Sequence, residues 1–437
     1  MMLNAMILVG LILASAGLGF TQEVTQTTVL INGTVIDATG QPPIENATVI
    51  IQGNRISEVR STPFTDSEAD ENTRVLDLEG GYVLPGLWNN HSHLADLLPD
   101  PKGMLNDEPL LRATIRAGRN AMDALKGGFT SLRMTGERDF VNVAWKEAFD
   151  AGVFVGPRIV PSGNPISVGD GDDWLVVSAS GLAEIREIVR SHVENGAEII
   201  KIIASRMNSQ EIFAAIDEAH KQGVPVTAHS GGESARIAIE HGVDGIEHGN
   251  RLTDDTIRLM VEKNVFLDPT IVCNLSADYI AEREQLIKEA GFEAPEDVVE
   301  GRILVAYADE RSPEMARSAR VVLNKAFDAG VKIITGSDSN PIDEIGMLEI
   351  EQLVFSGLSE MGAIMAATRN SAEMVGMLDD LGTVEAGKLA DLIVLEKNPL
   401  ENISNLRTLS MVIKDGKLVN LTKDEGQTSF WKLYFLE

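Results

Sequence analysis

Short apolar runs recur through the middle of the chain, several of them preceded by a longer stretch with apolar positions at helical spacing. The runs predict strands at Val83 to Trp88, Phe129 to Met134, Arg158 to Pro161, Glu198 to Ile203, Val224 to Ala228, Gly245 to Glu247, Val265 to Asp268 and Lys332 to Thr335. Alternation of strand and helix marks parallel βαβ units. Gly128, Gly156, Gly196, Gly223, Gly242 and Gly330 stand where the helices would end before the next strand, the usual place for a left-handed cap. Eight such units in series predict a (β/α)8 TIM barrel over residues 82–381.

The ends of the chain read differently. Thr28 to Ile31 before Asn32-Gly33, Thr34 to Ile36, Ala47 to Gln52 before Gly53, and Arg55 to Val59 are short β-prone runs separated by tight turns. Asp391 to Leu395, Leu409 to Lys414 before Asp415-Gly416, and Leu418 to Leu421 repeat the pattern at the far end. A small antiparallel sheet, a composite β-sandwich domain from residues 23–81 and 382–437, would clamp the ends together. Asn274 to Arg311 is acidic and helical in pattern, an insertion between strands seven and eight placed to act as a lid. The apolar stretches of Met347 to Met377 suit packing on the barrel or a homo-oligomer interface equally well.

Composition sharpens this picture at three points. The first twenty residues carry no charge, Ala5 to Leu13 is apolar, and Ala14-Ser15-Ala16 offers small residues for cleavage. Residues 1–22 are therefore expected to be a secretory signal, giving a periplasmic or secreted protein; the competing expectation is an uncleaved N-terminal membrane tether. The formal net charge of -29 repels phosphate backbones and anionic headgroups, which sets aside nucleic acid and stable membrane association as partners. The one cysteine, Cys273, permits no intrachain disulfide and reads as a small packing residue.

The chemistry lies in a few placements. Of seven histidines, His91 and His93 are two apart next to the first predicted barrel strand, so an extended backbone would turn both rings to one side. His229, His248 and Asp338 each follow a different predicted strand, at the end where barrel active sites assemble. Four histidines and an aspartate form a ligand set suited to zinc or a similar divalent ion. Lys201 lies inside the apolar strand Glu198 to Ile203, where an unpaired ammonium would be costly. A salt bridge would relieve that cost, and so would carboxylation of the amine to an anionic carbamate. His192, His220 and His241 fall in or at the ends of predicted helices and are expected to be surface or capping residues.

With these residues in place, the chain resembles the amidohydrolase superfamily, nearest the branch of imidazolonepropionase-like proteins and metal-dependent Xaa-Pro dipeptidases (prolidases). The resemblance rests on Leu84-Pro85-Gly86-Leu87 leading into His91-Ser92-His93, on Val226-Thr227-Ala228-His229, on Gly245-Ile246-Glu247-His248-Gly249, on Thr335-Gly336-Ser337-Asp338, and on Gly382 to Leu392. It implies a first ion on His91, His93 and Asp338, a carboxylated Lys201 as bridge, and a second ion on His229 and His248, both ions expected to be zinc. In two places the chain departs from the family pattern. Asn89 stands where an aspartate is usual, in the layer behind the ligands, and Ala204-Ser205-Arg206-Met207 replaces the Ser-Gly-Gly of peptidase-like members.

The expected reaction is hydrolysis of a carbon–nitrogen bond in an N-acyl amino acid, dipeptide or cyclic amide by a metal-bound hydroxide. Asp338 would move the proton, and His248 or His229 would assist at the developing oxyanion if only one metal site were filled. Arg206 is the expected contact for a substrate carboxylate, with Asn208 and Tyr279 as weaker loop contacts. Three rivals stay open at the level of sequence: a single-metal deaminase or imidazolonepropionase-like hydrolase, a lactonase, and an inactive secreted binding protein on the same fold.

Overall fold

A computed structural model of the chain describes residues 26–95, 109–169, 175–275 and 313–421. The expected signal at residues 1–22, Tyr279 and nearly all of the insertion Asn274 to Arg311 lie outside the described residues. In chain order the strands begin with β1 (Thr27–Val35), β2 (Ile44–Gln52), β3 (Arg55–Arg60), β4 (Thr73–Asp77) and β5 (Tyr82–Pro85). The middle of the chain contributes β6 (Leu87–Ser92), β7 (Phe129–Met134), β8 (Arg158–Val160), β9 (Ile166–Val168), β10 (Val177–Ala179), β11 (Ile200–Ile202), β12 (Val226–Gly231), β13 (Gly245–Asn250) and β14 (Phe266–Asp268). The last strands are β15 (Leu392–Leu395), β16 (Leu409–Lys414) and β17 (Lys417–Leu418).

Strands from the two ends share one sheet in the order β17-β16-β15-β5-β1-β2-β3, with β4 also on β1. The sheet is mixed, whereas tight turns alone predict an antiparallel one: β4 and β5 both run parallel to β1. The reason is the longer link after β3, which returns the chain to the starting end before it pairs again. Leu30, Val49, Ile51, Ile56, Val83, Leu392 and Val394 form the apolar core of this sheet.

The run Val83 to Trp88 is two strands. Leu84 on β5 pairs Ile393 in the terminal sheet, while Leu87 on β6 pairs Phe129 in the barrel. Gly86 is the joint. A Cβ there would collide with the Thr130 side chain, so only glycine lets the chain pass from one sheet to the other.

The barrel closes through parallel ladders. β6-β7-β8 form one arc and β11-β12-β13-β14 the other, with β9 and β10 added beside β11. Ser162 bridges Ile199 to join the arcs on one side. Ile333 bridges Leu267 on the other, and the Asn90 N–H donates to the Thr335 carbonyl at 2.7 Å, so Lys332 to Thr335 completes the ring. The stretch Met347 to Met377 packs within the chain: Met347, Leu348, Ile350, Leu353, Ala363 and Ile364 all belong to the main core. No helix among the described residues is long and apolar enough to cross a membrane.

Candidate active site

His91 lies within β6 and His93 directly after it, so the pair belongs to the strand end itself. Lys201 is the central residue of β11, His229 lies on β12, His248 on β13, and Asp338 in the turn after Thr335. His91, His93 and Lys201 are buried, Asp338 and His248 are half-buried, and His229 is exposed. His248 and Asp338 adopt left-handed backbone, φ 66° and 49°. Such conformations are uncommon outside glycine and collect at functional sites.

The side chains converge. Asp338 Oδ1 is 3.3 Å from His91 Nε2 and 3.2 Å from His93 Nε2. The Lys201 Nζ is 3.4 Å from the same His91 nitrogen. On the open side, His248 Nε2 faces His229 Nδ1 at 2.9 Å. The rings of His91 and His248 are 5.1 Å apart, so the two groups share one cavity.

The hydrogen-bond partners say what this cluster fits. His91 Nδ1 is 2.7 Å from Glu247 Oε2, and His93 Nδ1 is 2.8 Å from the Gly136 carbonyl. Both Nδ1 atoms therefore donate, which leaves both Nε2 atoms as lone-pair acceptors. These face the Asp338 carboxylate, itself acceptor-only when ionised. His91, His93 and Asp338 bring their ligand atoms within 4.8 Å of one another. A set of acceptors with few protons to share is a set for a cation, and N/N/O donors suit a borderline divalent ion.

Behind the ligands sits a layer of buried charge. Arg133 on β7 is fully buried and donates from Nη2 to Glu247 Oε1 at 2.6 Å and to Asp268 Oδ2 at 3.3 Å. Thr227 also donates to Glu247. Burial alone would raise the Glu247 carboxyl, but Arg133 and then Lys201 hold it below its usual range. It thus remains an anion able to accept from His91, the carboxylate–histidine pairing that orients metal ligands. Asp268 goes the other way, raised by burial and by Glu247. For Asp338, burial is outweighed by the neighbouring histidines, His91 first, and its carboxyl is held well below the ordinary range. Burial lowers Lys201, with Glu247 and Asp338 opposing. Burial also brings His248 to about 3, with His229 adding to the effect. His229 is open to the cavity, yet surrounding protein and then Lys201 hold its imidazolium at about 4.

Asn89 reaches none of the clustered atoms. Its Oδ1 accepts the N–H groups of His91 at 3.2 Å and Ser337 at 3.1 Å, and its Nδ2 donates to Ser337 Oγ at 2.8 Å. Ser337 Oγ then donates to the Ser339 carbonyl at 3.1 Å. The amide both accepts and donates in this chain, which an ionised aspartate could not do, and this suits asparagine to the position. It ties His91 and Asp338, from opposite ends of the barrel sequence, to one backbone frame.

Other expected residues fall elsewhere. Arg206 is exposed in the turn after β11, and its charge bears on His229. The Asn208 Oδ1 is used as a helix cap, accepting from Gln210 and Glu211 at the start of the helix Ser209–Lys221. His220 and His241 are a surface residue paired with Asp244 and a helix cap. His192, expected at the surface, is instead buried, with Phe140 edge-on to its ring and Gly163 against it. Its helix packs that face inward. Cys273 is half-buried, with Sγ 3.5 Å from Asp338 Oδ2, so it adjoins the cluster. Sequence reasoning passed over Arg133, Glu247 and Asp268. Arg133 carried a readable signal, being the lone charge in the run Phe129 to Met134, as Lys201 is among its isoleucines.

A parallel barrel with clustered histidines, a lysine and an aspartate at its strand ends is an arrangement that could hold a divalent ion where barrel active sites assemble. The amidohydrolase family model matches residues 82–419, and the chain belongs to that family. The ochratoxinase of Aspergillus niger is 27% identical, with 90% of this chain and 86% of that protein covered. Among solved structures, a Xaa-Pro dipeptidase with methionine bound in its active site is similar at TM-score 0.75 and 28% identity, covering 90% of this chain and all of that one. A prolidase complexed with N-methylphosphonate-L-proline is similar at TM-score 0.76 and 29% identity, with the same coverage. The chain is an enzyme of a family that acts on carbon–nitrogen bonds.

Proposed function

We propose that the protein is a two-metal amide hydrolase acting on an N-acyl amino acid or dipeptide with a free carboxylate. The observation that carries this reading is Lys201. It is buried, and among the described residues no carboxylate lies within ion-pair distance of its Nζ. Burial favours an uncharged nitrogen there, the form that adds carbon dioxide. Its lone pair forms the N–C bond and a proton is released, leaving an anionic carbamate beside His91.

His91, His93 and Asp338 would hold one ion, His229 and His248 the second, and the carbamate would bridge them. Bound there, divalent ions such as zinc would polarise the scissile carbonyl and acidify a water. The protein's own groups do the rest. Glu247 and Gly136 keep the His91 and His93 rings aimed by accepting their Nδ1 protons. Asp338, an ionised acceptor in a partly open position, would take the proton of the attacking water and return it to the leaving nitrogen. Arg206 would receive the substrate carboxylate at the mouth, where the background charge of -29 would otherwise repel it. The prolidase and dipeptidase neighbours support an amino-acid-derived substrate.

The test is metal analysis of the purified protein followed by a screen of N-acyl amino acids, Xaa-Pro dipeptides and lactones. Lys201→Ala should be inactive and partly rescued by small carboxylic acids. Full activity in that variant would sink the two-metal account. One tightly held ion per chain with no carbamate would favour a single-metal mechanism.

A further inference from the structure

We propose that Glu349 is a positioning residue for the catalytic centre, acting through the turn Ile271–Asn274 to set His248 and Asp338 together. The inference rests on the catalytic reading of the cluster, and its test is chosen to stand without it.

Glu349 lies on the helix Ile342–Phe355 and is fully buried. Its two carboxylate oxygens accept the N–H groups of Ile271 and Val272, each at 2.9 Å. Those are the first N–H groups of a short 3-10 turn that follows β14, and such groups have no partner within their own turn. A threonine at the head of a turn usually meets this need with its own hydroxyl. Thr270 stands there, yet its side chain makes no capping bond. Its Oγ1 is 2.6 Å from His248 Nδ1. The hydroxyl has been diverted to a candidate ligand, and a carboxylate from another element caps the turn in its place.

The geometry is held against resistance. Thr270 has φ 41°, and left-handed backbone is a true outlier for a β-branched residue. Burial pushes the Glu349 carboxyl up to about 8, the two N–H bonds acting in the opposite direction. At the far side of the same turn, Cys273 Sγ meets Asp338 Oδ2 at 3.5 Å, the oxygen turned away from His91 and His93. One buried side chain thus fixes, through two backbone N–H groups, the contacts to candidate ligands from two different strands. A carboxylate capping the turn for stability alone would give no reason for Thr270 to point at His248.

The single cysteine makes the turn measurable without a substrate. In the full-length, metal-loaded protein, Glu349→Gln presents one oxygen and one NH2 group to two N–H donors, so one bond is lost. The expected result is a rise of up to roughly tenfold in the rate at which a thiol reagent labels Cys273, the fold-change of one lost hydrogen bond. In wild type, hydrogen exchange should find the Ile271 and Val272 amides protected. With the amide substrate found by screening, kcat should fall while KM holds. Thr270→Val should lower kcat without faster labelling, and Thr270→Ser should restore it. Unchanged labelling and kcat in folded Glu349→Gln would overturn the proposal. If that variant does not fold, rapid exchange of the two amides in wild type would overturn it. Failure to find metal or activity would count against the hydrolase reading and leave the labelling and exchange tests standing.

Discussion

The two halves of the centre are held by different means. His91 and His93 are buried, and the second nitrogen of each is taken by a fixed acceptor, Glu247 or Gly136. His229 is exposed, and the contact holding it is the neighbouring ring of His248, which is itself steadied by one threonine hydroxyl. The first half is anchored in the barrel interior by Arg133, Glu247 and Asp268. The second is anchored from loops. A buried half with fixed hydrogen-bond partners and an open half with fewer of them would suit a site that must keep its charge in place and still admit a substrate.

The comparison can be broken most directly at Arg133. Arg133→Met leaves Glu247 and Asp268 buried without their cation, and unfolding free energy should fall by about 3–5 kcal/mol. Denaturant titration measures this, and a loss under about 1 kcal/mol would show that the interior charges do not anchor the buried half.

Acid tests the same idea away from the metal ligands. Burial holds His192 at about 4, against 6.5 in its ordinary state. The unfolded chain therefore binds the proton first as pH falls. Stability is complete above about 6.5 and is lost down to about 4, by roughly 3 kcal/mol in all. His192→Leu should flatten that part of the stability–pH curve; an unchanged slope would contradict the burial of this ring.

Metal affinity should separate the halves next. Glu247→Gln takes the anion from behind His91 and should weaken binding by about 10–100-fold in a chelator competition. Thr270→Val acts on the open half and should fall near about tenfold. Equal losses would erase the distinction. The smallest effect belongs to Arg206→Met. KM for a carboxylate-bearing substrate should rise by about tenfold, with stability unchanged within about 0.5 kcal/mol, because the side chain is exposed.

The clustered residues were legible for a local reason. Each follows an apolar run, and a histidine or aspartate at such a boundary differs from everything around it. Lys201 stood out by the same contrast. Glu247 did not, because in a chain with 66 acidic residues one more carries little information until the barrel closes over it. Arg133 could have been read by the rule applied to Lys201. Glu349 could not, since it sits in a helix whose helical pattern says nothing of Ile271 and Val272.

The sequence by itself determined the alternation of elements, the barrel with its clasp of terminal strands, and the histidines and aspartate at the strand ends. These follow from side-chain period and composition within a few residues. Tertiary structure alone decided where Val83 to Trp88 divides and which nitrogen of each histidine faces the centre. It also decided which charges neutralise one another. Those outcomes depend on groups far apart in the chain, such as Arg133 with Glu247 and Asn89 with Ser337, separated by 114 and 248 positions. Their partners are chosen by burial, where an unpaired charge or donor is costly, and burial exists only once the ring has closed.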